Sequence, residues 1–131
     1  MSALIVEVRT APIPTLVTVA GEIDILTAPE LRDQVRTLPD GDIVLDFSGV
    51  GLLAAAGLRV LLELRDHRAR AGMRVVLAAP SPSVQRVLVV TKLAHTLSMT
   101  ATLDDAVAII TAAPSRGGLA DPRTPSPPRS D

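Results

Sequence analysis

The chain reads as one α/β domain with the element order ββαβαβαβα, and three observations carry that reading. The first is the stretch Asp42–Leu62, DIVLDFSGVGLLAAAGLRVLL, where an apolar strand, a glycine-punctuated turn and a helix follow one another. The second is the exchange of short apolar runs with 3–4-spaced apolar residues along residues 3–113. The third is composition. Of 131 residues 47% are hydrophobic, yet Phe47 is the one aromatic, so the core must be built from Leu, Val, Ile and Ala.

Residues 3–9 (ALIVEVR) predict a first strand, broken by Pro12 and Pro14. Thr15–Ala20 (TLVTVA) predicts a second, and the short connection makes the two a hairpin at a sheet edge. Gly21-Glu22-Ile23-Asp24 leads out of it. Thr27, with Pro29 just inside the next helix and Glu30 three residues on, predicts a capping box in which the Thr27 hydroxyl accepts from the Glu30 N–H. The helix 28–38 turns Leu31, Val35 and Leu38 inward and Arg32, Asp33, Gln34 and Arg36 outward.

After the turn Pro39-Asp40-Gly41, Ile43, Val44 and Leu45 predict a buried parallel strand. Gly49 and Gly51 predict a sharp turn, and a helix runs from Ala54 to about Ala71 with Leu58, Leu61 and Leu62 on one face. Gly72 is placed to end it, with Arg65, Arg68 and Arg70 near its negative end. Residues 73–79 predict a strand, Ser81 or Ser83 caps a helix reaching roughly Leu93, and Val84, Val87, Leu88 and Thr91 are its inward positions. A short edge strand over 97–102 and a last helix ending at Ala113, with Asp104 and Asp105 in its first turn, complete the domain. From Pro114 the composition shifts to PSRGGLADPRTPSPPRSD, too poor in apolar residues to offset ordering entropy, so 114–131 is expected to be a disordered tail.

Composition excludes several classes of function. A net charge of −1 and a single aromatic argue against nucleic-acid binding. Without cysteine there is no disulfide scaffold, zinc ribbon or thiol chemistry. The start MSALIVEVRT has no signal-peptide pattern, and no apolar run reaches transmembrane length, so a cytoplasmic protein without a membrane partner is expected. Lys92 is the one lysine against twelve arginines, a bias that fits a GC-rich bacterial genome.

Sets of residues that could carry catalysis are missing. No third glycine falls in register with Gly49 and Gly51, and no Lys-Ser/Thr pair follows them. His67 and His95 have no clustered Cys, His or carboxylate at metal-ligand spacing, so no metal or cofactor is expected. Asp24 and Asp46 form a carboxylate pair if their strand ends meet; the commoner role for such strand-terminal aspartates is capping nearby N–H groups. A binding module, not an enzyme, follows. Its natural binding edge is the carboxyl end of the sheet, where the Asp42–Leu62 unit turns into its helix.

Gly21-Glu22-Ile23-Asp24, Thr27, Leu31-Arg32, Val44-Leu45-Asp46-Phe47-Ser48-Gly49-Val50 and Gly57-Leu58, in this order and spacing, resemble the STAS domain, and within it the bacterial anti-sigma factor antagonists. The resemblance spans about residues 3–113. It implies a curved, mixed sheet of four to five strands with about four helices packed mainly on one side. It also implies binding to an anti-sigma factor that is a serine kinase, which frees a sigma factor and so regulates transcription. In that family the kinase phosphorylates a serine in an Asp-Ser-Ser-Gly loop at the second helix, and the added charge breaks the interface.

Here Ala54-Ala55-Ala56 replaces Asp-Ser-Ser, with Ala55 at the phosphoacceptor position. No hydroxyl remains to take a phosphoryl group, and Ser48 one loop earlier is expected only to hydrogen-bond locally. The resemblance points to Asp24, Ile25, Thr27, Leu53, Ala54, Ala55, Ala56, Gly57 and Arg59 as partner-binding residues, in a monomer or weak dimer. The alternatives are a stand-alone STAS subunit seated on a transporter ATPase and, in another class, a nucleotide-handling enzyme.

Overall fold

A computed structural model describes residues 4–10 and 14–112. The chain forms β1 (Leu4–Arg9), β2 (Thr15–Ile23), α1 (Ala28–Arg36), β3 (Ile43–Leu53), α2 (Ala55–Arg70), β4 (Val75–Ala78), α3 (Pro82–Val90), β5 (Ser98–Thr100) and α4 (Leu103–Ala112). This is the expected order, ββαβαβαβα. The five strands lie in one sheet in sequence order. β1 pairs antiparallel with β2 as an edge hairpin, and every other pair is parallel, which makes the sheet mixed.

Alternation along the strands divides the core in two. Val17, Val19, Ile23, Ile43, Leu45, Phe47, Val75 and Leu77 face one side and pack with residues of α1, α2 and α3. Val44, Val76 and Ala78 face the other and are covered by Ala106 and Ile110 of α4. Three helices therefore share one face and one helix takes the other. Arg74 ties α4 down: its Nη2 donates to the Ile110 carbonyl at 3.0 Å and to Asp42 Oδ2 at 3.2 Å.

The central unit departs from the expected strand, turn and helix. β3 continues through Gly49 and Gly51 to Leu53, and neither glycine has a positive φ. The reason is β2, which itself runs to Ile23 and pairs with β3 past two register shifts, with Ala20 opposite Gly49 and Ile23 opposite Leu53. Gly49 is required by that close approach, since a Cβ there would lie 2.9 Å from Ala20 Cβ. The connection from β3 to α2 is the single residue Ala54, held by its N–H to the Ile23 carbonyl at 2.8 Å.

Helix ends also differ in detail. Gly72 closes α2 as expected, with φ 76° and the Met73 N–H donating to the Arg68 carbonyl at 2.9 Å. Arg68, in the last turn of α2, also sends its guanidinium to a distant segment. It is only 4% exposed and reaches the α1–β3 turn, donating from Nη1 to the carbonyls of Pro39 (2.8 Å) and Gly41 (2.9 Å). Burial lowers its pKa, and nearby Asp40 opposes that shift.

Ser81 rather than Ser83 caps α3, accepting from the Val84 N–H at 3.4 Å while its hydroxyl donates to the Val50 carbonyl at 2.8 Å. α3 stops at Val90, short of Leu93, because Lys92 turns left-handed (φ 63°) and the Leu93 N–H returns to the Leu88 carbonyl at 2.8 Å. Thr91 is consequently exposed instead of inward, and its hydroxyl donates to Val87. The expected tail from Pro114 lies outside the described residues.

Candidate functional site

The site grows from the β2–α1 connection. Asp24 ends β2, and its Oδ1 accepts from the backbone N–H groups of Leu26 and Thr27, both at 2.9 Å. The Ala28 N–H meanwhile donates to the Asp24 carbonyl at 2.8 Å. Asp24 thus does what a helix N-cap does, one turn ahead of α1. The capping box expected of Thr27 and Glu30 does not form. Thr27 already has helical dihedrals (φ −95°, ψ −19°), so its hydroxyl cannot turn back to the helix. Instead Thr27 Oγ1 accepts from the Asp24 N–H at 2.9 Å and donates to the Glu22 carbonyl at 2.7 Å, locking the turn from below.

This locked turn holds up two apolar side chains. Ile25 is 77% exposed and Leu26 79% exposed. Burying a side chain of this size against a partner stabilises a complex by about 1.5–3 kcal/mol, so an exposed apolar pair of this kind is a candidate contact surface. Leu52, partly exposed and paired in register with Glu22, adds apolar area near the same sheet end. Ile25 was foreseen in the sequence. Leu26 and Leu52 were not, because nothing in a run such as DILTA or VGLL tells which apolar residue faces water.

Next to this turn the chain enters α2. The Ala54 N–H bond to Ile23 joins the two connections directly. Ala54 is an extended N-cap without a side-chain acceptor, and the Gly57 and Leu58 N–H groups fold back to its carbonyl at 2.9 and 3.1 Å. No acidic residue sits in the first turn of α2. Ala55 and Arg59 are exposed, while Ala54, Ala56 and Asp24 are half-buried. The methyl of Ala55 and the side chain of Arg59 are therefore what the start of α2 shows to solvent at this corner.

Three of the expected contact residues lie beneath the surface instead of on it. Thr27 is 5% exposed, and Leu53 and Gly57 are buried. Leu53 packs into the core, and Gly57 lets α2 settle on Ile23 and Leu53, where a Cβ would come within 2.4 and 2.7 Å of their side-chain carbons. They shape the corner from beneath its surface. Asp24 and Asp46 each accept from a backbone N–H close by, Asp46 from that of Ser48 at 3.0 Å, which is the capping role expected of them.

No group of three His, Cys, Asp or Glu side chains that could hold a metal ion occurs among the described residues. None of the described helices is long and apolar enough to cross a membrane. A mobile hydroxyl is missing from the α2 corner, where residues 54–56 are all alanine. The arrangement suits contact with another macromolecule.

Comparison with known proteins gives the corner its context. The family model described as "Mlab, STAS domain" matches residues 6–103. An anti-sigma factor antagonist from Mycobacterium paratuberculosis is 27% identical, with a TM-score of 0.76 over 83% of this chain and 95% of its own. The anti-sigma factor antagonist SpoIIAA in its unphosphorylated form is 17% identical, with a TM-score of 0.68 over 85% of this chain and 98% of its own. The phosphorylated form of SpoIIAA, a Bacillus cell fate determinant, superposes with a TM-score of 0.61 at 18% identity, covering 82% and 99% of the two chains.

Proposed function

Because the chain belongs to the STAS domain family, we propose that it is an anti-sigma factor antagonist that binds a kinase-type anti-sigma factor and so regulates sigma-factor-dependent transcription. It acts in the cytoplasm by protein contact, not catalysis, as a monomer or weak dimer. The observation that carries this reading is the pair Ile25 and Leu26, held in solvent by the Asp24–Thr27 lock beside the start of α2. The structural likeness to anti-sigma factor antagonists of full domain length supports it.

Loss of the acceptor hydroxyl makes the interface constitutive. Ala55 occupies the position that the family resemblance assigns to the phosphorylated serine, and its neighbours Ala54 and Ala56 are equally inert. An anti-sigma kinase supplied with ATP is therefore expected to leave residues 51–57 unlabelled, while still binding the protein. Phosphopeptide mapping checks this, and a high-stoichiometry phosphate on Ser48 would show the switch displaced upstream.

The binding test is calorimetric titration of wild type and Ala55→Glu against a partner captured from the native cell. In the free domain a carboxylate at the start of α2 meets a favourable helix dipole, worth about 0.3–1 kcal/mol, so the variant folds. Against a partner the same charge is desolvated without a counter-ion, and breaking a buried arrangement in this way costs about 3–5 kcal/mol. The second figure is larger, so affinity is expected to fall by roughly a hundredfold or more. Unchanged affinity in a folded variant would remove this corner from the interface. Capture of a transporter ATPase in place of an anti-sigma factor would favour the transporter-subunit reading instead.

A further inference from the structure

β1 is the open edge of the sheet. It stands first in the strand order, so its outer side carries no strand among the described residues. The opposite edge, β5, is only three residues long, and brevity is one of the ways a sheet edge is kept from pairing. β1 lacks that protection. It runs six residues, LIVEVR, without lysine, proline or glycine, and it pairs with β2 in unbroken register from Leu4 to Arg9. Val8 is 41% exposed and Ile5 60%, so apolar side chains stand free on both faces of the strand. A regular edge with uncovered backbone groups is a template for another strand.

Charge decides which strand fits. Glu7 and Arg9 stand two residues apart on one face, both exposed, and neither makes an ion pair among the described residues. Their neighbours on β2 are Thr18 and Leu16, which offer no opposite charge. The complement of this pair is the same strand running the other way. When two identical strands pair antiparallel, the two-fold axis passes through a residue, because directly opposite side chains share a face. With the axis at Glu7, each Glu7 faces its own copy, which is repulsive. With the axis at Val6, Glu7 faces Ile5 and no charge is matched. With the axis at Val8, Glu7 faces Arg9 of the second copy twice over, and the two Val8 side chains meet.

We propose that β1 pairs antiparallel with β1 of a second copy of this chain, with Val8 on the two-fold axis and two reciprocal Glu7–Arg9 ion pairs, joining the two sheets into one. The ladder is short and its ion pairs are exposed, so the dimer forms at high protein concentration and weakens with salt. The inference goes beyond the antagonist reading and does not rest on it. Ile25, Leu26, Leu52 and Ala55 are not on β1, so either interface can fail without the other.

The test uses the full-length protein, whose sequence has no cysteine, so one introduced cysteine reports alone. Residues facing each other across an antiparallel pair have Cα atoms about 4.5–5.5 Å apart, within disulfide reach. Val8→Cys is therefore expected to form a covalent dimer under mild oxidation. Ile5→Cys, though at a more exposed position, is not, because its two copies would lie about 20 Å apart. Sedimentation velocity over a concentration series follows the unlinked protein. Glu7→Arg and Arg9→Glu, each with an unchanged circular dichroism spectrum, are expected to weaken dimerisation about tenfold, as two attractions become two repulsions. Combining the two substitutions is expected to restore it. A wild type that stays monomeric at every concentration would leave this edge to a strand of another protein and overturn the proposal. So would a dimer indifferent to the charge reversals, or disulfide formation by Ile5→Cys as fast as by Val8→Cys.

Discussion

Gly57 is where α2 comes nearest to the sheet. An added methyl would lie 2.4 Å from Ile23 Cγ2 and 2.7 Å from Leu53 Cδ1, and both side chains are buried. Two effects compete in Gly57→Ala. Helix propensity favours alanine by about 1 kcal/mol. Overpacking a tight core costs about 1–3 kcal/mol. Because Ile23 Cγ2 branches from Cβ and has no free end to swing aside, the steric cost is expected to prevail. Urea unfolding should show a net loss of about 1–2 kcal/mol with an unchanged slope, and a gain would mean that Ile23 repacks freely. Gly57 entered the sequence reading as part of a Gly-Leu motif at the contact surface; its packing role depends on how closely β2 passes, which is a three-dimensional fact.

The β2–α1 turn is the element on which the proposed interface rests. Two side chains hold it, Thr27 from below and Asp24 from above, where Oδ1 takes both the Leu26 and the Thr27 N–H. Asp24→Ala is expected to lower stability by about 0.5–2 kcal/mol, as for loss of an N-cap. The same change should loosen Ile25 and Leu26 and weaken partner binding further than the stability change alone accounts for. Hydrogen exchange at Leu26 and Thr27, read beside calorimetric affinity, checks both. Unaltered exchange in the variant would show that Thr27 holds the turn without Asp24. The sequence located this turn through Gly21-Glu22-Ile23-Asp24 and Thr27, but assigned the cap to the wrong residue. Thr-x-x-Glu is a valid capping signal, and it lost here to an aspartate three residues earlier that begins the helical turn first. Likewise, glycine after an apolar run reads as a turn in sequence, whereas Gly49 is needed because two strands crowd.

At the scale of the whole molecule, both core clusters, among the described residues, are assembled from residues 4–110, and residues 114–131 are rich in proline and poor in apolar side chains. Removing everything after Ala113 is therefore expected to leave the melting temperature within a few degrees, as measured by circular dichroism. A large drop would mean that residues 114–131 pack on the domain. The apolar corner itself is formed by residues before Ala112.

What the sequence determined by itself was everything governed by local periodicity. Apolar alternation, 3–4 spacing and the glycine after Ala71 placed five strands and four helices in order, and the alanine run at 54–56 leaves no hydroxyl at the start of α2. Tertiary structure decided which residues of each run meet water and which meet one another. Ile25, just past the end of β2, and Leu53, the last residue of β3, are both apolar, yet one projects into solvent and the other is sealed under α2. Arg68 reads as one of several arginines near a helix end, but the α1–β3 turn folds over it and buries it. Exposure and long-range pairing depend on contacts between segments about thirty residues apart, such as Arg68 with Pro39, and local periodicity carries no record of those distances.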